Sequence, residues 1–383
     1  MATERPQVYV RFRSAPADLG SNANAHGEHD ITHEDQRVSY PDPHEPGSKT
    51  HIRVDQVFKE TSRQPELYEQ VGRSMTSYVV SGYRGLVLAY GITGSGKTYT
   101  MLGGGDAADD GLVQQALRDV FSRQLPMLSV EAQALQCYRE GFQDLGVEGC
   151  PNVKVLSTMV RDNTEASVHT FTAEEPAMSW LRGVISRRAR AGTKHNKVSS
   201  RCHLLVRLKI SFGTGDVITS GILDFSDLAG CEKLCTLDAS SQKDHFCIQA
   251  GLASLENCIV SRVENASKPP HLRTLKPFTQ TPLPRLLAPN FNGTTRIAVI
   301  VTCPTATERV IEVSESLQFA KRIARMYGRR GSMGKQHAAS SQEVTRALEI
   351  AMASAARGIS WPHIRLMVRG SGGAGKSCTI RAM

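Results

Sequence analysis

Residues 91–98 read Gly-Ile-Thr-Gly-Ser-Gly-Lys-Thr and fill the pattern G-x-x-x-x-G-K-[ST]. The apolar run 85–90 precedes this stretch and Tyr99-Thr-Met follows it. The order is therefore buried strand, phosphate loop, helix start. Glycines at 91, 94 and 96 let backbone N–H groups converge on phosphate oxygens without Cβ clashes, and the helix N-terminus adds positive potential. Gly91, Ile92, Thr93, Gly94, Ser95, Gly96, Lys97 and Thr98 are thus the expected nucleotide cradle. Lys97 has the reach for the β- and γ-phosphates, and the Thr98 hydroxyl suits Mg²⁺.

Strand and helix patterns alternate around this loop. Strands are expected at 7–12, 128–138, 203–212, 217–225 and 296–302, and helices at 65–80, 112–125, 176–190, 246–263 and 310–327. Residues 17–50 are polar and rich in His, Asp, Gly and Pro, and read as a long surface loop. Together these patterns predict an α/β layered sheet. The chain has 383 residues, enough for more than one domain, and its composition is that of a globular protein. No run is long and apolar enough to cross a bilayer, and Met1-Ala-Thr-Glu-Arg-Pro-Gln has no secretory core, so a cytosolic protein is expected. Nine scattered cysteines without C-x-x-C spacing point to reduced thiols. A net charge of +9 favours an acidic partner: nucleic acid, an anionic membrane or an acidic protein lattice.

Two downstream segments specify the kind of nucleotide hydrolase. Asn196-Lys-Val-Ser-Ser-Arg-Cys-His203 closely resembles the switch I motif N-x-x-S-S-R-S-H of kinesin motor domains, and Asp227-Leu-Ala-Gly-Cys-Glu232 resembles their switch II motif D-L-A-G-S-E. Val10-Arg-Phe-Arg13 is similar to the kinesin V-R-x-R strand, and Leu67-Tyr-Glu69, Gly111-Leu-Val and Phe319-Ala-Lys321 occur where kinesins carry similar segments. The resemblance covers about residues 7–327. It implies a P-loop NTPase of three α/β/α layers around a mixed, mostly parallel sheet. ATP and Mg²⁺ are the implied cofactors and microtubules (tubulin) the partner, with neither a membrane nor a nucleic acid, and with a place in the cytoplasm on the cytoskeleton. Asp227, at the end of an apolar strand, would hold a Mg²⁺-bound water. The Gly230 N–H would sense the γ-phosphate, and Ser199 and Ser200 would contact that phosphate, the metal or the attacking water, with Asn196 beside the nucleotide. The resemblance further implies a salt bridge between Arg201 and Glu232 that closes the site, with Glu232 helping to pass on a proton. Arg11 and Tyr99 would border the adenine, Tyr99 by stacking.

The chain departs from the kinesin pattern in places. Ser14 stands for the usual Pro, Cys202 and Cys231 for the switch serines, Gln249 for an Asn important to switch II, Gly251 for Ser and Glu256 for Gly. Kinesins carry P-Y-R-D-S-K-L-T-R-L-L on the microtubule face where this chain reads Lys276-Pro-Phe-Thr-Gln-Thr-Pro-Leu-Pro-Arg-Leu-Leu287. Pro282 and Pro284 disfavour a regular helix there, while Lys268, Arg273, Lys276 and Arg285 supply attraction to an acidic track.

Domains are expected at 1–327 (motor), 328–341 (linker), 342–359 (amphipathic helix) and 360–383. The last contains a second phosphate-loop pattern, Gly370-Ser-Gly-Gly-Ala-Gly-Lys-Ser377, after an apolar strand. Gly370, Gly375, Lys376 and Ser377 would begin a truncated second NTPase segment, the alternative being a Gly-rich tail, and as it stands Lys376 is expected to bind no nucleotide with useful affinity. The leading expectation is an ATP-hydrolysing motor domain that couples γ-phosphate release to microtubule binding and movement. The alternative is a non-motile, nucleotide-switched tubulin- or partner-binding module. A GTPase is disfavoured because no N-K-x-D motif occurs.

Overall fold

The computed structural model describes residues 6–13, 31–43, 45, 47–104, 109–139, 141–157, 162–193, 201–214, 217–232, 239–266, 281–291, 294–305, 309–328, 364–369 and 375–380. By its internal contacts the chain divides between Tyr327 and Gly328.

The first unit is built on a ten-stranded mixed sheet. Its strands are β1 (Gln7–Arg13), β5 (Gln56–Phe58), β6 (Arg84–Tyr90), β7 (Ser129–Tyr138), β8 (Gly141–Asp144), β9 (Asn152–Val153), β10 (His169–Phe171), β11 (His203–Thr214), β12 (Val217–Asp227) and β13 (Arg296–Pro304). The order is β5-β1-β13-β6-β12-β11-β7-β8-β9, with β10 also on β7. From β5 to β12 the pairings are parallel, and from β12 outward they are antiparallel.

Strand β6, which leads into the phosphate loop, sits between two parallel neighbours and is buried from Gly85 onward, as a strand covered on both faces must be. Its alternate residues feed two cores. Leu86, Leu88 and Tyr90 pack with Leu252 and Leu255 of α6 (Ala239–Ala266), Leu283 of α7 (Pro282–Leu287) and Leu317 and Phe319 of α8 (Val310–Gly328). Val87 and Ala89 pack with Met75 of α2 (Arg73–Val80), Leu117 of α4 (Leu112–Ser122) and Leu181 of α5 (Glu174–Thr193). The result is the three-layer α/β/α arrangement that the motifs imply. Tyr90 and Phe319 stack with ring centroids 3.9 Å apart, fastening α8 to the strand that carries the loop. A short helix α1 (Gln64–Leu67) runs through one π-helical turn, Tyr68–Gly72, into α2.

Three expectations are corrected. Within 17–50, the described part is not all loop: β2 (Thr32–Glu34), β3 (Arg37–Pro41) and β4 (Lys49–Arg53) form a separate three-stranded sheet. Val38, Tyr40, Thr50 and Ile52 alternate inward, a period of two carried by too few apolar residues to stand out in a polar stretch. Residues 282–287 do form a helix despite their prolines. Pro282 occupies the first helical position and Pro284 the first turn, where N–H groups have no intrahelical acceptor to lose.

The third correction lies in the second unit. The phosphate-loop pattern predicts a helix from Lys376, yet Gly375–Ile380 (β15) is a strand paired antiparallel with Ile364–Arg369 (β14). Lys376 stands opposite Val368 and Ser377 opposite Met367. At Lys376 the hairpin offers no helix N-terminus to a phosphate. Gly370 and the expected helix 342–359 lie outside the described residues.

Candidate nucleotide site

The phosphate loop opens at the carboxyl ends of the parallel strands, where β6 gives way to α3 (Lys97–Leu102). Gly91 has φ +150° and a Cβ there would stand 2.4 Å from the carbonyl oxygen of Thr302, so the turn requires glycine. Ser95 and Thr302 share a hydrogen bond of 2.6 Å between their hydroxyls, which ties the loop to β13. Lys97 is buried and donates to the carbonyls of Gly91 and Ile92 at 2.8 Å each. Burial lowers its pKa, and Asp227, Cys231 and Glu232 act in the opposite sense.

The segment after β12 is laced to this loop. Leu228 N–H donates to the Ala89 carbonyl at 3.3 Å, and Cys231 N–H to the Gly91 carbonyl at 3.2 Å. The Ala229 N–H donates to His203 Nδ1 at 3.0 Å, which fixes that imidazole as the neutral Nε2–H form. The His203 pKa is depressed to about 3, chiefly by burial. Glu232 accepts from the Thr93 N–H at 2.9 Å, so a switch II carboxylate caps a phosphate-loop amide. Burial raises the Glu232 pKa, but hydrogen bonds from Thr93 and the backbone outweigh it and the net shift is downward. A Cβ on Gly230 would come within 2.3 Å of the Glu232 carboxylate and 2.4 Å of the Thr93 hydroxyl, so any side chain there would displace that contact. The substituted Gln249 keeps hold of switch II, donating to the carbonyls of Cys231 at 2.9 Å and Glu232 at 3.2 Å. Cys231 lies 3.2 Å from the Ser316 hydroxyl, and burial pushes its thiol pKa up. Cys202 is also buried, its pKa pushed up to about 12, so both switch cysteines are neutral and inert at physiological pH.

Asp227 Oδ2 accepts from the Thr98 hydroxyl at 2.6 Å and from Arg188 at 2.5 Å, and both Asp227 and Arg188 are almost fully buried. Asp227 Oδ1 is buried without a hydrogen-bond partner among the described residues. An orphaned carboxylate oxygen beside a threonine hydroxyl fits a Mg²⁺ held partly through water. Among the described residues no cluster of three or more His, Cys, Asp or Glu side chains is arranged to hold a metal alone. A metal here would need oxygen ligands beyond Thr98 and Asp227.

The salt bridge implied between Arg201 and Glu232 is not formed. Arg201 donates to Asp244 of α6 at 3.2 Å. Asp244 also accepts from Arg139 at 2.5 Å and Tyr138 at 3.0 Å. This buried carboxylate outcompetes Glu232, which is already engaged by Thr93.

Arg11 is buried. It donates to Gln64 at 2.8 Å and Thr100 at 2.9 Å, and its guanidinium lies 5.3 Å from the Tyr99 ring centroid. Tyr99 donates to Asp109 at 3.1 Å and keeps a partly open ring. Asn196, Ser199, Ser200, Lys268, Arg273 and Lys276 lie outside the described residues, and Arg285 sits on α7, which packs against α6.

Three residues, Arg188, Asp244 and Arg309, escaped the motif reading, and Arg13 of the Val10–Arg13 motif gains a contact that the motif does not specify. Arg188 belongs to the basic cluster 187–190, which read as the end of a helix; its burial against Asp227 is invisible in one dimension. Asp244 has no motif around it. Arg309 donates to the Thr93 carbonyl at 2.9 Å and Arg13 to that of Gly94 at 3.3 Å, so two further cations flank the loop.

A family model for the kinesin motor domain matches residues 11–326. Kinesin-like protein KIN-UA of Oryza sativa subsp. japonica is 30% identical over 307 residues, covering 72% of this chain and 31% of the relative. Kinesin-like protein 5 of Schizosaccharomyces pombe is 28% identical over 294 residues, covering 72% of the chain and 32% of the relative. The chain thus matches about a third of the length of these relatives. Among solved structures, one described as that of a fast kinesin superposes with a TM-score of 0.71 at 22% identity, covering 84% of this chain and 91% of the other. The motor domain of the Kar3-like kinesin from Ashbya gossypii gives 0.66 at 21% identity, covering 84% and 99%.

Proposed function

The chain belongs to the kinesin motor domain family, and from that premise we propose that it binds and hydrolyses ATP and couples loss of the γ-phosphate to its affinity for microtubules. The observation that carries this reading is the lacing of the two nucleotide-sensing segments: Glu232 on the Thr93 N–H and Cys231 N–H on the Gly91 carbonyl. A phosphate entering the loop competes with the Glu232 carboxylate for the same amide, so nucleotide state is felt directly by switch II and, through Gln249, by α6.

The geometry supports the following roles. Lys97 leaves two backbone carbonyls for the phosphates, exchanging one set of oxygen partners for another. Thr98 and Asp227 would hold Mg²⁺, Asp227 through water, with Ser200 as the third proposed contributor; the ion supplies charge neutralisation at the phosphates. Gly230 brings its N–H close to the γ-phosphate because it has no side chain. Glu232, held ionised by its hydrogen bonds, is the acceptor for a proton released by the attacking water. Tyr99 offers a face to the base, oriented from below by Arg11.

The altered 276–287 segment favours a second reading, a nucleotide-switched binding module whose hydrolysis is not stimulated by a track. Both readings require the same loop. Titration with a fluorescent ATP analogue and Mg²⁺ tests it: wild type binds, Lys97→Ala binds about 10- to 100-fold more weakly, and Glu232→Ala still binds but turns over more slowly. Equal binding by wild type and Lys97→Ala would overturn the assignment.

A further inference from the structure

Thr93 of the phosphate loop is gripped from both sides. Its N–H donates to Glu232 at 2.9 Å, and its carbonyl accepts from Arg309 Nη1 at 2.9 Å. Arg309 stands just ahead of α8, and its Nε donates at 2.7 Å to Glu312 Oε2 in the first turn of that helix. The helix's own carboxylate thus aims the guanidinium at the loop. The planar fork of an arginine can serve a carboxylate and a carbonyl at once.

The grip falls on the peptide of the loop that nothing else described fixes. Ile92 to Ser95 is a β-turn, closed by the Ser95 N–H on the Ile92 carbonyl at 3.2 Å. Gly94, its third residue, has φ +81°, as a type II turn requires. Type I differs in the orientation of the middle peptide, here between Thr93 and Gly94, and glycine adopts either form. A Cβ at Gly94 would meet no atom within 4 Å, so packing does not choose between them. The peptides on each side are held at both ends. In the one before, the Ile92 carbonyl accepts from Lys97 and the Thr93 N–H meets Glu232. In the one after, the Gly94 carbonyl accepts from Arg13 at 3.3 Å and the Ser95 N–H closes the turn. In the middle peptide only the carbonyl is engaged, by Arg309; the Gly94 N–H has no acceptor among the described residues. The C=O and N–H of a trans peptide point in opposite directions. Arg309 on the carbonyl therefore turns the Gly94 N–H to the far side.

We infer that Arg309 is a positioning residue for phosphate binding: by holding the Thr93 carbonyl it keeps the middle peptide in the type II orientation and presents the Gly94 N–H to a nucleotide phosphate. The inference rests on the ATP-binding reading above and deepens it. When a phosphate enters, Lys97 leaves the Ile92 carbonyl and Glu232 yields the Thr93 N–H, so the preceding peptide loses both of its holds. The Arg309 contact lies on the other side of Thr93 and persists. Arg309 acts through the backbone, and Glu312 in turn positions Arg309.

The test uses the full chain and titrates a fluorescent ADP analogue with Mg²⁺ against wild type, Arg309→Gln, Arg309→Lys, Gly94→Ala and the double variant Arg309→Gln with Gly94→Ala. Arg309→Gln should bind about three- to thirtyfold more weakly, with partial recovery in Arg309→Lys. Gly94→Ala adds no clash but disfavours φ +81°, so it turns the same peptide and should weaken binding by a similar factor. Because both substitutions act on one peptide orientation, the double variant should bind within about threefold of the weaker single variant, well short of the product of the two losses. The thermal midpoint of Arg309→Gln without nucleotide should stay within about 2 °C of wild type. If Lys97→Ala weakens binding while Arg309→Gln stays within about twofold of wild type, the role of Arg309 alone is overturned. Losses that multiply in the double variant also overturn it, because Arg309 then acts as a remote charge. So does an unliganded midpoint that falls in step with affinity, which marks mere structure. A wild type that binds no nucleotide overturns the ATP-binding reading and this inference with it.

Discussion

Gly230 is where a single missing side chain matters most. Its Cα sits under the Glu232 carboxylate and the Thr93 hydroxyl, leaving no room for a methyl group. Gly230→Ala must push Glu232 off the Thr93 N–H. The fold should survive, because the residue lies in a loop after β12, but the added methyl forces the segment and the Glu232 carboxylate apart, so the backbone N–H at 230, though still present, is no longer placed for the γ-phosphate. Turnover is expected to fall by about 100-fold or more, with the far-ultraviolet circular dichroism unchanged; turnover within twofold of wild type would contradict the assignment. The residue scale is also where one dimension misleads. Motif matching pairs Arg201 with Glu232, yet the structure gives Arg201 to Asp244 and Glu232 to Thr93. Which of several acids an arginine meets depends on burial and competing donors, and neither is written in the spacing.

At the scale of elements, His203 joins the start of β11 to the segment after β12. Because its folded pKa is about 3 and its unfolded value 6.5, the unfolded chain binds the extra proton between those limits. Stability is therefore fully present above about pH 6.5 and is lost as pH falls toward 3, by at most about 1.4 kcal/mol per pH unit from this group. Urea midpoints at pH 7 and pH 5 should show this loss in wild type and a smaller one in His203→Gln. Equal pH slopes would mean the imidazole is not held neutral. Elements with a strong period or a motif were legible: β6, the phosphate loop and α8 stand within a residue or two of their sequence signals. The sheet β2-β3-β4 was not, because its inward residues are few and its turns polar. The 370–377 pattern misled for a complementary reason. Its glycines, lysine and serine satisfy the loop's composition, but among the described residues Gly375–Ile380 pairs back on β14 as a strand and does not begin a helix.

At the scale of the molecule, the fold divides its labour across the sheet. Parallel strands β1, β13, β6 and β12 bring the loop, Thr302 and Asp227 to one end. One core, containing α6, α7 and α8, backs the segments expected to meet a track, and the other supports the loop through α2, α4 and α5. A chain charge of +9 would favour the proposed encounter with an acidic polymer at low salt. The central claim is that nucleotide chemistry in this head is coupled to a track. Steady-state ATP hydrolysis with and without microtubules, using Lys97→Ala as the blank, tests it most directly. The account predicts a Lys97-dependent rate that rises strongly and saturably with microtubules; a Lys97-dependent rate indifferent to microtubules, or no rate above the blank, would contradict it.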